Sequence, residues 1–160
     1  MGSHKNSVEC KEEARFTVRI PVTIHFGDTD PYGVVYFASY FRYCHHGIEA
    51  FFNHYGFPPH QYFRNVERGF GLPVVDASCR FLKPVKYGDE LWLDVSVKSF
   101  KSKSVTFDFR FYEKAKELLV AQGEATIVAI DRTWRACDLP PEVLECLSKI
   151  CAPKPTPTTA

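Results

Sequence analysis

No stretch of this chain approaches the roughly 18 consecutive apolar residues of a membrane-spanning helix, and its start carries no signal-peptide hydrophobic region. Neither sign of charge prevails: 20 Lys and Arg stand against 19 Asp and Glu, with no run of Lys or Arg. Such a surface does not hold nucleic acid or an anionic bilayer over a wide area, so neither partner is expected. The six cysteines, Cys10, Cys44, Cys79, Cys137, Cys146 and Cys151, contain no CxxC. With no export signal they read as buried or free thiols in a reducing cytoplasm, not as a disulfide framework. His45, His46, His54 and His60 show no HExxH spacing and no cysteine partners at ligand spacing, so no metal is expected. A G-x-S-x-G elbow and a P-loop are also missing, which removes the common serine-nucleophile and nucleotide-phosphate motifs.

What is abundant is aromatic: 14 Phe, 8 Tyr and 2 Trp in 160 residues. That length suits one domain with a real core. The chain is organised around residues 25–55. Gly27-Asp28-Thr29-Asp30-Pro31-Tyr32-Gly33 is a turn bearing two acids. Behind it Tyr36, Phe37, Tyr40, Phe41, Cys44, Ile48, Phe51, Phe52 and Tyr55 recur at the spacing of one broad apolar helix face. A helix of that length spans about 30 Å. A carboxylate beside a helix N-terminus, where free N–H groups favour negative charge, needs a reason.

Residues 1–14 are polar and expected to be disordered, Met1 to His4 reading as an expression remnant. Phe16, Val18, Ile20, Val22, Ile24 and Phe26 alternate with polar residues or Pro21, the pattern of a half-buried edge strand. Gly56-Phe57-Pro58-Pro59 ends the long helix, and His60 to Arg68 can form a second, short one. Strands are then expected over Leu72–Lys83, around Leu91–Val97, around Val105–Phe111 and over Leu118–Asp131, as successive antiparallel neighbours. Pro140-Pro141 opens a short helix with Val143, Leu144, Leu147 and Ile150 on one face, and residues 152–160 are a Pro/Thr tail expected to be disordered. The domain is therefore residues 15–151, of α+β class: about five antiparallel strands wrapped around one long central helix. An exposed sheet edge would be covered by pairing across a two-fold axis, so a homodimer is expected, with a tetramer left open.

Phe26-Gly27-Asp28-Thr29-Asp30-Pro31-Tyr32-Gly33-Val34-Val35-Tyr36-Phe37 closely resembles the F-G-D-x-D-P-x-G-[IV]-V-[FWY] signature of the 4-hydroxybenzoyl-CoA thioesterase family, whose fold is the hotdog. Similarity continues through Val66 to Gly69, Pro73 to Val75 and Phe81 to Asp89, over roughly residues 16–132. The resemblance implies that Asp30 is the catalytic carboxylate. It implies that the Phe37 backbone N–H, at the helix start, binds the thioester carbonyl, and that Gly33 and Tyr36 belong to the same site. It makes Lys101-Ser102-Lys103-Ser104 the segment that holds the phosphates of coenzyme A, less uniformly basic than in the family because Ser102 sits in its middle. Related enzymes acting on aliphatic acyl chains often carry His where this chain has Phe37, which favours an aromatic acyl group. Val34 to Ser39 and Cys44-His45 are also similar to 1,4-dihydroxy-2-naphthoyl-CoA thioesterases. The pocket is implied to form between two protomers, with no cofactor beyond the CoA of the substrate.

The chemistry stands beside the resemblance. Thioester hydrolysis needs a group that attacks the carbonyl or activates water, and donors where the oxyanion develops. Asp30 can serve as nucleophile or general base, and the helix N-terminus supplies donors. The plain alternative is that Asp28 and Asp30 only shape the turn, a role kept here for Asp28. Gly33 supplies a positive φ or lets substrate approach the backbone. Glu49, on the helix, is the reserve catalytic carboxylate. His45 and His46 point about 100° apart, so at most one faces Asp30, and both read as surface or satisfied-core residues. Lys101 and Lys103 can equally be solvated turn residues, since lysine meets phosphate only as a point charge. The leading function is thus hydrolysis of a 4-hydroxybenzoyl-CoA-like thioester in the cytoplasm. The alternatives are a 1,4-dihydroxy-2-naphthoyl-CoA or aliphatic acyl-CoA thioesterase and a non-catalytic acyl-CoA-binding module. A hotdog hydratase would want a His soon after the turn, and none follows until His45.

Overall fold

The computed structural model describes residues 6–153, so the expected disorder of residues 1–5 and 154–160 lies outside it. In chain order the elements are β1 (Val8–Glu9), a 3-10 turn (Glu12–Ala14), β2 (Val18–Thr23), a 3-10 turn (Phe26–Asp28), α1 (Phe37–His54), α2 (Pro59–Tyr62), β3 (Arg64–Asn65), β4 (Phe70–Gly71), β5 (Val74–Phe81), β6 (Glu90–Lys101), β7 (Ser104–Glu113), β8 (Leu118–Val128), β9 (Ile130–Asp131) and α3 (Pro141–Ile150). The main sheet is antiparallel in the order β6-β7-β8-β5, with β1 and β2 both pairing on the outer side of β6. A small sheet, β3-β4-β9, stands beside it. The sheet curls around α1, giving the α+β hotdog architecture expected from the pattern.

Strand periodicity decides which face meets the helix. Along β7, Val105, Phe107, Phe109 and Phe111 are buried against α1, while Thr106, Asp108, Arg110 and Tyr112 face the other way. On β6, Leu91, Leu93, Val95 and Val97 do the same. The apolar stripe of α1 answers them: Tyr40, Cys44, Ile48, Phe51 and Phe52 are buried, with Tyr40 and Phe51 packing edge-on to Phe111 and Phe107.

Five expectations are corrected. Residues 8–14 do not fray: Val8 and Glu9 pair with Phe100 and Ser99, and Arg110 binds Glu12. The first strand is shorter than residues 16–26, because the chain bends at both ends and leaves Phe16 and Phe26 exposed. The second helix stops after one turn. The Asn65 carboxamide takes the Arg68 N–H at 2.8 Å and donates to Gln61 O at 3.1 Å, which competes with helix, and β3 pairs with β4 instead.

The remaining two concern tertiary placement. β5 is not the neighbour of β6; it pairs with β8 and forms the far edge of the sheet. The segment after β5 cannot fold back as a hairpin because the Leu82 and Lys83 N–H groups are held by Val120 O, and Val85 O then accepts from the Val35 N–H. The chain therefore crosses to β6 past the start of α1. Finally, Cys10 and Cys151 are joined in a disulfide, which sequence spacing across 141 residues could not announce. Cys44, Cys79, Cys137 and Cys146 are free.

Candidate active site

The loop between β2 and α1 is built by its two acids. Asp28 is buried. Its backbone carbonyl accepts from the Tyr36 N–H at 2.8 Å and the Ser39 hydroxyl at 3.0 Å, fastening the loop to the first turn of α1. Its carboxylate accepts from the His25 N–H at 2.9 Å and from the Arg42 guanidinium. Burial opposes its ionisation, but the His25 amide and the Tyr43 and Arg42 side chains outweigh that and hold the carboxyl below its usual range. Asp28 is thus more than a turn former: it anchors the helix start. Arg42 was not singled out from sequence, since a lone Arg 14 residues from its partner gives no local signal.

Asp30 organises the next turn. Its N–H donates to Val34 O at 2.8 Å, and its carbonyl accepts from the Gly33 N–H at 2.9 Å. Oδ1 accepts from the Tyr32 N–H at 2.9 Å and the Val34 N–H at 3.4 Å. Oδ2 takes part in neither bond. Gly33 sits at φ +75°, with nothing within 4 Å of where a Cβ would be, so the turn needs glycine for its backbone and leaves room above it. The side chain of Asp30 is half-buried.

Phe37 is the first helical residue, so its N–H has no acceptor within α1. Asp30, Tyr36 and Phe37 line one cavity of about 470 Å³ together with Phe81 at the end of β5 and Lys83 and Val85 of the crossover segment. The Tyr36 and Phe37 rings lie 4.6 Å apart and are about half exposed, while Tyr40 packs on Phe81 at 5.0 Å. The arrangement brings Asp30, whose carboxylate is oriented by the turn, and the first residue of α1 to one partly apolar hollow. The crossover wall was not foreseen, because it depends on β5 lying at the sheet edge.

The other expected residues lie elsewhere. Glu49 is 12 positions beyond Phe37 on α1, about 18 Å along the axis, and meets His45 Nδ1 at 3.2 Å. His45 borders a second cavity of about 700 Å³ with Phe63, Phe70, Leu72 and Trp134. Lys101, Ser102, Lys103 and Ser104 form the turn at the opposite end of β6, a strand about 36 Å long, and do not line the Asp30 cavity of the same protomer. Among the described residues no cluster of three or more His, Cys, Asp or Glu could hold a metal ion, and no helix is long and apolar enough to cross a membrane.

Comparison with known proteins gives consistent matches. The family model of the thioesterase-like superfamily matches residues 24–147. A 1,4-dihydroxy-2-naphthoyl-CoA hydrolase of Thermosynechococcus vestitus is 35% identical over 103 residues, 64% of this chain and 69% of the relative. Among solved structures, a 1,4-dihydroxy-2-naphthoyl-CoA thioesterase from Synechocystis superposes with TM-score 0.75 at 23% identity, covering 86% of this chain and all (100%) of that one. A gentisyl-coenzyme A thioesterase superposes with TM-score 0.71 at 24% identity, covering 79% and 99%.

Proposed function

The chain belongs to the thioesterase-like superfamily and is an acyl-CoA thioesterase, and from that premise we propose that it hydrolyses an aromatic acyl-CoA with Asp30 as the working carboxylate. The observation that carries the reading is the shared hollow: Asp30 and Phe37, the first residue of α1, line one cavity. With the thioester carbonyl at the Phe37 N–H, the oxyanion forms where the N-terminal field of α1 favours negative charge. Asp30 then either attacks the carbonyl, the C–S bond breaking to release CoA thiolate and leave a mixed anhydride that water opens, or takes the proton of an attacking water whose tetrahedral adduct expels CoA thiolate. In both routes the thiolate takes up a proton from solvent. Gly33 keeps the approach open, and Tyr36 offers a ring face to the substrate.

An aryl group suits the walls. Tyr36, Phe37 and Phe81 line the first cavity and Phe63, Phe70 and Trp134 the second, all able to stack on a flat ring. The Thermosynechococcus relative is named for a dihydroxynaphthoyl substrate and the gentisyl enzyme for a hydroxylated benzoyl one, so hydroxylated aryl thioesters of one or two rings are the class to test. Lys101 to Ser104 hold the CoA phosphates in this reading, and no cofactor is needed beyond CoA itself.

The working unit is a homodimer in the cytoplasm. β5 is an edge strand exposed on both faces, with Val74, Val75 and Phe81, and Leu82 directly after it, all more than 40% exposed. Such an edge wants a second strand. Phe81 and Leu82 also line the Asp30 cavity, so a second copy paired on β5 completes the pocket. The test is CoA release from 4-hydroxybenzoyl-CoA, benzoyl-CoA, a dihydroxynaphthoyl-CoA and a medium-chain acyl-CoA. Aryl preference with a loss of about a thousandfold or more in Asp30→Asn is expected. Binding of these thioesters without turnover would establish a non-catalytic module instead, and undiminished turnover in Asp30→Asn would remove Asp30 from the mechanism and make Glu49 the next carboxylate to substitute.

A further inference from the structure

The two ends of the described chain meet at the side of the sheet remote from Asp30. Cys10 follows β1 and donates its N–H to Lys98 O at 2.9 Å, beside the far end of β6. Cys151 closes α3, and the two cysteines are bonded with their Cα atoms 4.8 Å apart. The strand beside this link, β6, leads into the Lys101–Ser104 turn. On one side its strand is paired by β1, Val8 against Phe100 and Glu9 against Ser99. On the other, the segment that feeds α3 holds the turn itself. Leu139 N–H donates to Ser102 O at 2.8 Å, Ala129 N–H to Lys103 O at 2.8 Å, and Lys103 Nζ to Ala136 O at 3.4 Å. The disulfide joins the arm that pairs with the strand leading into the turn to α3, whose lead-in segment holds the turn.

We propose that Cys10 and Cys151 form a thiol–disulfide switch that sets how firmly the Lys101–Ser104 turn holds the phosphates of a CoA thioester. The proposal rests on the reading of that turn as the phosphate holder. In the oxidising direction the two thiols lose two protons and two electrons to a small-molecule disulfide, which becomes two thiols. In the reducing direction an incoming thiolate attacks the half-buried Cys151 sulfur. Cys10, 4% exposed, leaves as thiolate and takes up a proton, and a second thiol clears the mixed disulfide from Cys151. In a reducing compartment such a bond is transient and reports redox state. Once it opens, the β1 arm is held by its two-residue pairing, the Cys10 N–H bond to Lys98 O and the Arg110–Glu12 and Arg15–Asp108 ion pairs. The arm stays on the sheet, but the covalent tie between it and α3, whose lead-in segment holds the turn, is gone.

The experiment uses the full chain, oxidised with glutathione disulfide or reduced with a phosphine, and the aryl-CoA it turns over best. Titration in denaturant should find four thiols in the oxidised protein and all six in the reduced one. KM for the acyl-CoA should rise about tenfold on reduction with kcat unchanged. The N-acetylcysteamine thioester of the same acid, which lacks the nucleotide phosphates, should show no difference between the two states. Cys10→Ser with Cys151→Ser should match the reduced form under either treatment; if that variant does not fold, reduced wild type carries the comparison alone. Equal KM in the two titrated states overturns the switch, as do six free thiols after oxidation. Failure of the underlying reading is seen separately, as an acyl-CoA KM in the oxidised protein that is unmoved by Lys101→Gln with Lys103→Gln.

Discussion

Gly47 offers a test in which two known effects of opposite sign compete. It lies in the middle of α1, where the helix passes directly over the sheet. A Cβ at this position would come within 2.7 Å of Val95 Cγ2 and 3.1 Å of Leu93 Cδ2, with Phe109 Cε1 at 3.4 Å. In an exposed helix, Gly47→Ala would stabilise the protein by about 1 kcal/mol. Here Val95, Leu93 and Phe109 are all 0% exposed and locked between strand neighbours, so none can swing away. Adding a methyl to such a core costs about 1–3 kcal/mol. The cost exceeds the gain, and Gly47→Ala should destabilise by about 1 kcal/mol net, or about 3 °C in Tm for a chain of this size. The assay is thermal unfolding followed by circular dichroism, in wild-type and Val95→Ala backgrounds. Val95→Ala removes the methyl that clashes, so in that background the propensity gain should reappear and Gly47→Ala should raise Tm. Strictly additive effects, or a stabilised single variant, would refute the claim that the closeness of α1 to β6 requires this glycine.

Two further predictions concern the start of α1. Phe37→Pro removes the N–H proposed to bind the oxyanion at the one helical position where proline is well tolerated, and Tyr36 already has the extended backbone (φ −68°, ψ 138°) that precedes proline. With Phe37→Ala as the control that keeps the amide, kcat should fall a further factor of about 100–1,000 while the circular dichroism spectrum stays native; equal rates in the two variants would remove the amide from the mechanism. Asp28→Asn should cost about 1–2 kcal/mol at neutral pH, at the modest end because the Arg42 partner is half exposed. The Asp28 carboxyl is held below its usual range in the folded protein, so its contribution is complete above the unfolded pKa and disappears as pH falls through the folded one. The stability gap between wild type and variant, read by urea unfolding, should therefore narrow below about pH 4, and a gap constant from pH 7 to pH 3 would contradict the assignment.

What the sequence made legible follows the reach of each interaction. The alternation of Val105, Phe107, Phe109 and Phe111 and the helical stripe read from Tyr36 to Tyr55 are consequences of backbone geometry over a few residues. The strand face is buried, and the stripe is buried at Tyr40, Cys44, Ile48, Phe51 and Phe52 but exposed at Tyr36 and Phe37. The acid-rich turn was equally local, since Asp30 closes it through amides two and four residues away. The failures lie where a distant partner decides. β5 carries no mark saying that it pairs with β8; that follows from Val120 and Val85 holding the crossover. Residues 60–68 have helical spacing, but one carboxamide, Asn65, redirects them. Arg42 and the pairing of Cys10 with Cys151 depend on contacts made only once the chain has folded.

The two acids of the turn answer the question of why carboxylates stand before a helix. A single carboxylate could not both hold the helix start and remain available to a substrate, because holding it requires burial and full use of both oxygens. Asp28 does the first: one oxygen takes the His25 amide, the other the Arg42 guanidinium, and its carbonyl secures Tyr36 and Ser39. Asp30, two residues on and half-buried, lines the cavity and has its two turn bonds on one oxygen, which leaves the other oxygen free of them. The division predicts opposite signatures for the two substitutions. Asp28→Asn should lower stability and carry activity down only as the fold loosens, whereas Asp30→Asn should abolish turnover with little change in Tm. A variant pair showing the reverse pattern would mean that the buried acid, not the half-exposed one, reaches the thioester.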